Sequence, residues 1–278
     1  MMDVNSTTEN FTRRALWAQI DLDAAAHNMR VIRRHVGPDV RIAAVVKANA
    51  YGHGAVELAR TFAENGADCF AVSSLDEAVE LRRYAGITKN IFILGHTDGR
   101  RTEELLAYHI EPAVFNLKNA EYFSSEASRL GQTLQVHIAI DSGMSRIGFL
   151  PDEESISVIK EIAALPRIEI RGIFTHFAVA DEKDKTFTHE QFRRFMWVCS
   201  RLEDEGVHIP IRHCCNSAAT LELPQYHLDM VRPGIIQYGC QPSHDVSLDG
   251  YDFRPVMSLR CCVAHVKLIN AGSTVSYG

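Results

Sequence analysis

The chain has 278 residues, 46% hydrophobic and 23% charged, with a formal net charge of −6 at pH 7 and a pI near 6.1. That length supports one large domain or two small ones around a substantial core. The acidic balance argues against a nucleic-acid surface, which shows as a basic stripe, and the apolar runs fall well short of the roughly 20 residues a membrane helix needs.

Residues 1–14 are polar and lack the apolar stretch of a secretory signal, so they read as a loose N-terminal arm of a cytoplasmic protein. Beyond them, short runs rich in Ile, Val and Phe alternate with helical patterns, the signature of βα units. Trp17–Leu22 reads as a first strand, followed by Ile42–Ala48, Cys69–Ser73, Ile91–Leu94, Glu111–Phe115, Gln135–Ile140, Ile170–His176, Ile211–Cys215 and Met230–Tyr238. Eight parallel strands after the first predict a (β/α)8 TIM barrel over residues 15–241.

The connecting helices leave their own marks. Ala55, Val56, Ala59, Phe62 and Ala63 recur at helical spacing before Gly66, and Ser74-Leu75-Asp76-Glu77 has capping-box spacing. Phe192, Phe195, Met196, Val198, Cys199 and Leu202 form another apolar helix face, ended by Gly206. After Pro242 the pattern changes: a polar stretch precedes Val256 to Ile269, which alternates or runs apolar like strands. Residues 242–278 are therefore expected to be a linker and the beginning of a truncated β domain.

Seven cysteines without C-x-x-C spacing fit reduced thiols, and thirteen histidines include no H-E-x-x-H, so no metal site is expected. Lys47 is more informative. It ends the apolar run Ala43 to Val46 and precedes Tyr51-Gly52-His53-Gly54. An ammonium there either snorkels into solvent or loses hydration and becomes a neutral nucleophile, suited to a Schiff base with a carbonyl.

In a barrel, the C-terminal ends of the strands converge on one site. Those ends carry Lys47 and Tyr51, then Asp141-Ser142-Gly143-Met144-Ser145-Arg146, then Thr175-His176-Phe177, Asn216-Ser217, and Arg232-Pro233-Gly234-Ile235. A hydroxyl and unhindered backbone at Ser217 and Gly234 suit a phosphate. An imidazole packs on a flat ring, and an arginine donates to a ring nitrogen. Each has a plain alternative: Asn216 or Ser217 caps a short helix toward Leu223, His176 is a core histidine, and the arginines are surface cations.

Taken together, Val45 to Gly54, Ser74 to Ala78, Asp141 to Gly148, Thr175 to Phe177, Asn216 to Ala218 and Arg232 to Gly239 closely resemble the alanine racemases, pyridoxal phosphate (PLP) enzymes of fold type III. The resemblance implies an isomerase interconverting L- and D-alanine, with serine as a further small substrate. It implies that Lys47 binds PLP in a Schiff-base linkage and moves the α-proton on the D face. Tyr51, Asn216, Ser217, Gly234 and Ile235 would line the phosphate site, and His176 would pack on the ring. Arg232 would meet the pyridine nitrogen, Arg146 would contact the phenolate and the substrate carboxylate, and Met144 would border the substrate methyl.

Two departures stand out. Many family members carry a carbamylated lysine two residues before the motif aspartate, where this chain has Ala139, so Arg146 is expected to recruit another anion, such as chloride, or to be more mobile. The opposite-face base of the family is a tyrosine of the C-terminal β domain, given across a homodimer, and the chain is expected to stop before it and to racemise poorly. A PLP carrier without efficient turnover is the alternative.

Overall fold

The computed structural model describes residues 15–277. Two strands make up one unit: β1 (Leu16–Ile20) and β11 (Met257–Cys261) pair antiparallel, Leu16 opposite Cys261 and Ile20 opposite Met257. The second unit, Asp21–Val256, holds the other nine strands. These are β2 (Arg41–Val45), β3 (Cys69–Val72), β4 (Ile91–Ile93), β5 (Ile110–Glu111), β6 (Ala113–Val114), β7 (Leu134–Ala139), β8 (Ile168–Phe174), β9 (Arg212–His213) and β10 (Met230–Val231).

All pairings within the second unit are parallel, in the orders β10-β2-β3-β4-β5 and β6-β7-β8-β9. Pro112 separates β5 from β6 because it has no N–H to give, yet its carbonyl still accepts from His137 N at 2.9 Å. On the other side, Arg232 N donates to Cys215 O at 2.9 Å and Arg41 N to Asp229 O at 3.0 Å. With those seams joined, the eight positions close into the expected barrel.

Burial explains why these segments read as near-continuous apolar runs. Ala43, Val45, Cys69, Ala71, Phe92, Ile211 and Met230 pack together as buried residues, and Ala113, Ala139 and Phe174 form a second cluster with Leu94 and Phe115 against it. The helices Ala55–Glu64 and Thr186–Asp204 bury Phe62 and Phe195 completely, each contributing about 1.5–3 kcal/mol by leaving water. Among the described residues, no helix is long and apolar enough to cross a membrane.

The strand expected at Trp17–Leu22 is β1, which ends at Ile20 and has β11 as its partner. Two expectations need correction. Met230–Tyr238 is a strand only at Met230–Val231, because Pro233 removes a ladder donor and Ile235–Tyr238 coils into a 3-10 turn. Residues 262–269 form no strand, leaving Met257–Cys261 alone of the run expected there.

Candidate active site

β2 ends at Val45, and the chain then does something the sequence does not announce. Ala48, Asn49, Ala50 and Tyr51 all adopt left-handed backbone, with φ of 51°, 52°, 52° and 54°. For L-residues this costs about 1–2 kcal/mol each, so the turn must be held. Ala50 N donates to Val46 O at 2.9 Å and Gly52 N to Ala48 O at 3.0 Å. Asn49 Oδ1 accepts from Ala55 N at 2.8 Å, and Glu77 Oε1 accepts from Ala48 N at 2.7 Å.

Glu77 is thus an anchor that its motif only half reveals. Ser74 does cap the helix Leu75–Glu80, accepting from Glu77 N at 3.3 Å. The Glu77 carboxylate, however, reaches Ala48 N and Ser73 N instead of closing a capping box on Ser74. It ties the third strand to the turn that carries Lys47.

A cavity of about 260 Å³ opens at the C-terminal ends of the strands. Lys47, Tyr51, Met144, His176, Asn216, Ser217, Arg232, Gly234 and Ile235 all line it, so nine of the ten residues singled out in the sequence share one space. Asn216 also plays the plainer part, its Oδ1 capping the helix Ser217–Glu222 through Ala219 N at 3.1 Å. Val45, Leu94 and Asp181 line the cavity as well and carried no distinguishing motif.

Arg146, the tenth, is exposed and is not among the lining residues. Its loop is organised by Asp141, which accepts from Gly143 N at 3.0 Å, Ser145 N at 2.9 Å and Arg146 N at 3.1 Å. Ala139 is buried in the apolar cluster, and no ion pair joins Arg146 to an acidic side chain among the described residues.

The electrostatics follow from burial and crowding of cations. Burial lowers the Lys47 pKa, Arg146 and Arg232 lower it further, and Glu77 partly offsets them. Desolvation, with Arg232, Arg146 and Lys47 nearby, pushes His176 down to about 3, so its ring is neutral at ordinary pH. Arg232 is pushed down to about 10 by burial and stays charged. Its guanidinium donates to Thr175 O at 2.7 Å and to His213 Nδ1 at 2.9 Å.

At the other end of the cavity, Ser217 Oγ accepts from Gly234 N at 2.9 Å. A side chain on Gly234 would crowd this corner: its Cβ would lie 3.0 Å from the Tyr51 hydroxyl and 3.8 Å from Ser217 Oγ. A hydroxyl, a backbone N–H and a glycine with no side chain to obstruct the approach are the groups that a phosphate takes. A neutral imidazole and an arginine donor suit a flat heteroaromatic ring, and a lysine of lowered pKa suits an aldehyde. The residues present fit PLP.

Comparison with known proteins agrees. The family model "Alanine racemase, N-terminal domain" matches residues 20–242. The chain belongs to the alanine racemase family. The alanine racemase of Clostridium tetani is 48% identical over 265 residues, covering 95% of this chain and 68% of that relative, and one from Clostridium perfringens is 49% identical over the same coverage. Among solved structures, alanine racemase of Clostridium difficile 630 in complex with cycloserine superposes with a TM-score of 0.89 at 41% identity, covering 92% of this chain and 70% of that one. The Bacillus anthracis alanine racemase with bound L-Ala-P gives 0.84 at 37%, covering 95% and 68%. Alanine racemases are PLP-dependent.

Proposed function

We propose that this chain interconverts L- and D-alanine with PLP held in the cavity above the barrel, Lys47 carrying the cofactor. The observation behind this reading is the convergence of nine motif residues, from five strand ends, on one small cavity. Ser217 Oγ, the Gly234 amide and the Tyr51 hydroxyl would hold the phosphate, and His176 and Arg232 would hold the ring. When bound, PLP supplies an aldehyde that links to amines and a ring that withdraws electrons from the α-carbon.

Lys47 Nζ takes the α-proton of one enantiomer on one face and supplies a proton to that same face when the reaction runs the other way; its lowered pKa keeps a fraction of the amine neutral and ready to accept. Arg232 orients the ring by hydrogen bond and gives up no proton, because a guanidinium is a very poor acid. That keeps electron withdrawal modest and favours immediate return of the proton over longer-lived chemistry. Arg146 meets the substrate carboxylate, and Met144 beside the cavity restricts the side chain to a small one.

Besides Tyr51, no tyrosine lines the cavity among the described residues. The opposite-face base we assign, as the family resemblance implies, to a tyrosine of a C-terminal β domain in a second copy of the chain. The relatives named above are all racemases, which supports turnover over cofactor storage.

The test has two parts. Borohydride reduction of the PLP-loaded protein followed by peptide mass spectrometry should place the cofactor on Lys47, and Lys47→Ala should abolish it. Chiral chromatography of L-alanine incubated with PLP and a chain extended through the family's β domain should show D-alanine. Modification elsewhere, or no D-alanine, would refute the reading.

A further inference from the structure

Arg232 is buried, and among the described residues no carboxylate touches it. Its counter-charge lies further off, along a line of side chains through the barrel interior. Arg232 NH1 lies 2.9 Å from His213 Nδ1, His213 Nε2 lies 3.1 Å from His137 Nδ1, and His137 Nε2 lies 2.8 Å from Glu111 Oε2. The other Glu111 oxygen accepts from Asn90 Nδ2.

The direction of this line is fixed by its first member. A guanidinium can only donate, so His213 Nδ1 must be bare and its proton must sit on Nε2. That proton points to His137 Nδ1, which must therefore be bare in turn. The His137 proton then sits on Nε2 and is given to the carboxylate. Every bond runs from Arg232 toward Glu111, with two neutral imidazoles between a cation and an anion.

The barrel makes room for this line. Gly172 stands opposite His137 in the register of β7 and β8, and a Cβ there would lie 2.5 Å from His137 Nδ1. Phe92 stacks on His137 with ring centres 4.9 Å apart, and Phe174 stacks on His213 at 5.3 Å, so each imidazole is clamped in plane. Burial alone would raise the Glu111 pKa, but the hydrogen bonds from His137 and Asn90 hold it below its usual value, so the terminus is a carboxylate at neutral pH.

We propose that Glu111 and His137 are positioning residues that, through His213, fix the orientation and proton arrangement of the Arg232 guanidinium and so set how it meets the cofactor ring. They touch neither cofactor nor substrate. The effect on the ring rests on the PLP reading above; the tautomers do not.

Nitrogen-15 NMR of the histidine-labelled, cofactor-free chain reads the line directly, and needs no variant. Both His137 and His213 should show a bare Nδ1 and a protonated Nε2 across neutral pH. In Glu111→Gln, where Asn90 can turn its amide to keep the pairing, the signals of both rings should shift. The PLP dissociation constant should also rise about tenfold, the lower end of what losing an imidazole-orienting carboxylate costs. An imidazolium or an Nδ1–H tautomer at His213 would overturn the proposal, and so would a folded Glu111→Gln with parental His213 signals and PLP affinity. If the parent chain takes up no PLP, the cofactor reading fails while the spectra still decide the relay.

Discussion

Ala48 has φ 51° and ψ 51° and an exposed side chain, so Ala48→Gly removes backbone strain without removing a buried group. Leaving the left-handed region to glycine relieves about 1–2 kcal/mol. Against this, glycine loses about 0.5–1 kcal/mol more conformational entropy on folding. The net is a stabilisation of about 0.5–1 kcal/mol, or roughly 2 °C in Tm for a domain of this size. Ala163 provides the contrast, being exposed in the right-handed helix Glu153–Ala164. Ala163→Gly should lose about 0.5–1 kcal/mol by the ordinary glycine penalty. Urea and thermal unfolding of the two variants, followed by circular dichroism beside the parent, should give opposite signs. If Ala48→Gly is destabilised as Ala163→Gly is, the left-handed turn is not the strained element described.

His176 has its pKa pushed to about 3, against an unfolded value near 6.5, so the unfolded chain takes up a proton that the folded one refuses. This contribution is fully present above pH 6.5 and fades as pH falls toward 3. It amounts to at most about 2 kcal/mol between pH 6.5 and 5, at about 1.4 kcal/mol per unit. Urea midpoints should fall less steeply with acid in His176→Gln than in the parent, and parallel curves would count against it. Gly234→Ala puts a methyl 3.0 Å from the Tyr51 hydroxyl and should weaken PLP binding about tenfold, ~1.4 kcal/mol, with the Tm of the cofactor-free chain little changed. Unaltered affinity in an absorbance titration would show that the phosphate lies elsewhere. Glu77→Ala removes the acceptor for Ala48 N and Ser73 N and should cost about 2 kcal/mol in chemical unfolding, since hydrogen bonds to a charged group are the stronger kind.

Much of the barrel was legible because its strands are buried on both faces and read as apolar runs whatever their neighbours. The strands β2, β3, β4 and β7 lie where Ile42, Cys69, Ile91 and Gln135 suggested. Lys47, Ser217 and Arg232 were legible for a different reason: the strand ends share a site, so a polar group at the tip of an apolar run stands out. What escaped depends on distance or on backbone conformation. Nothing in Leu16–Ile20 says that its partner lies at Met257–Cys261, on the far side of the whole barrel in sequence. Nothing in Ala48-Asn49-Ala50 announces a left-handed turn, since the hydrogen bonds that Glu77 and Asn49 accept, from Ala48 N and Ala55 N, help to make it tolerable. The relay through His213 and His137 to Glu111 did leave traces, a histidine and a glutamate inside apolar strands and a glycine opposite one of them. Only the closed barrel shows that they meet.

The three cations around His176 belong to a chain whose net charge is −6. An approaching dianion therefore meets repulsion from the body before attraction from the mouth. Salt weakens the two unequally: the long-range field fades once the Debye length shrinks to about 8 Å, whereas Lys47 and Arg232, which line the cavity, keep much of their pull. Moderate ionic strength then acts as a gatekeeper that lets anions approach, and only high ionic strength dulls the capture itself.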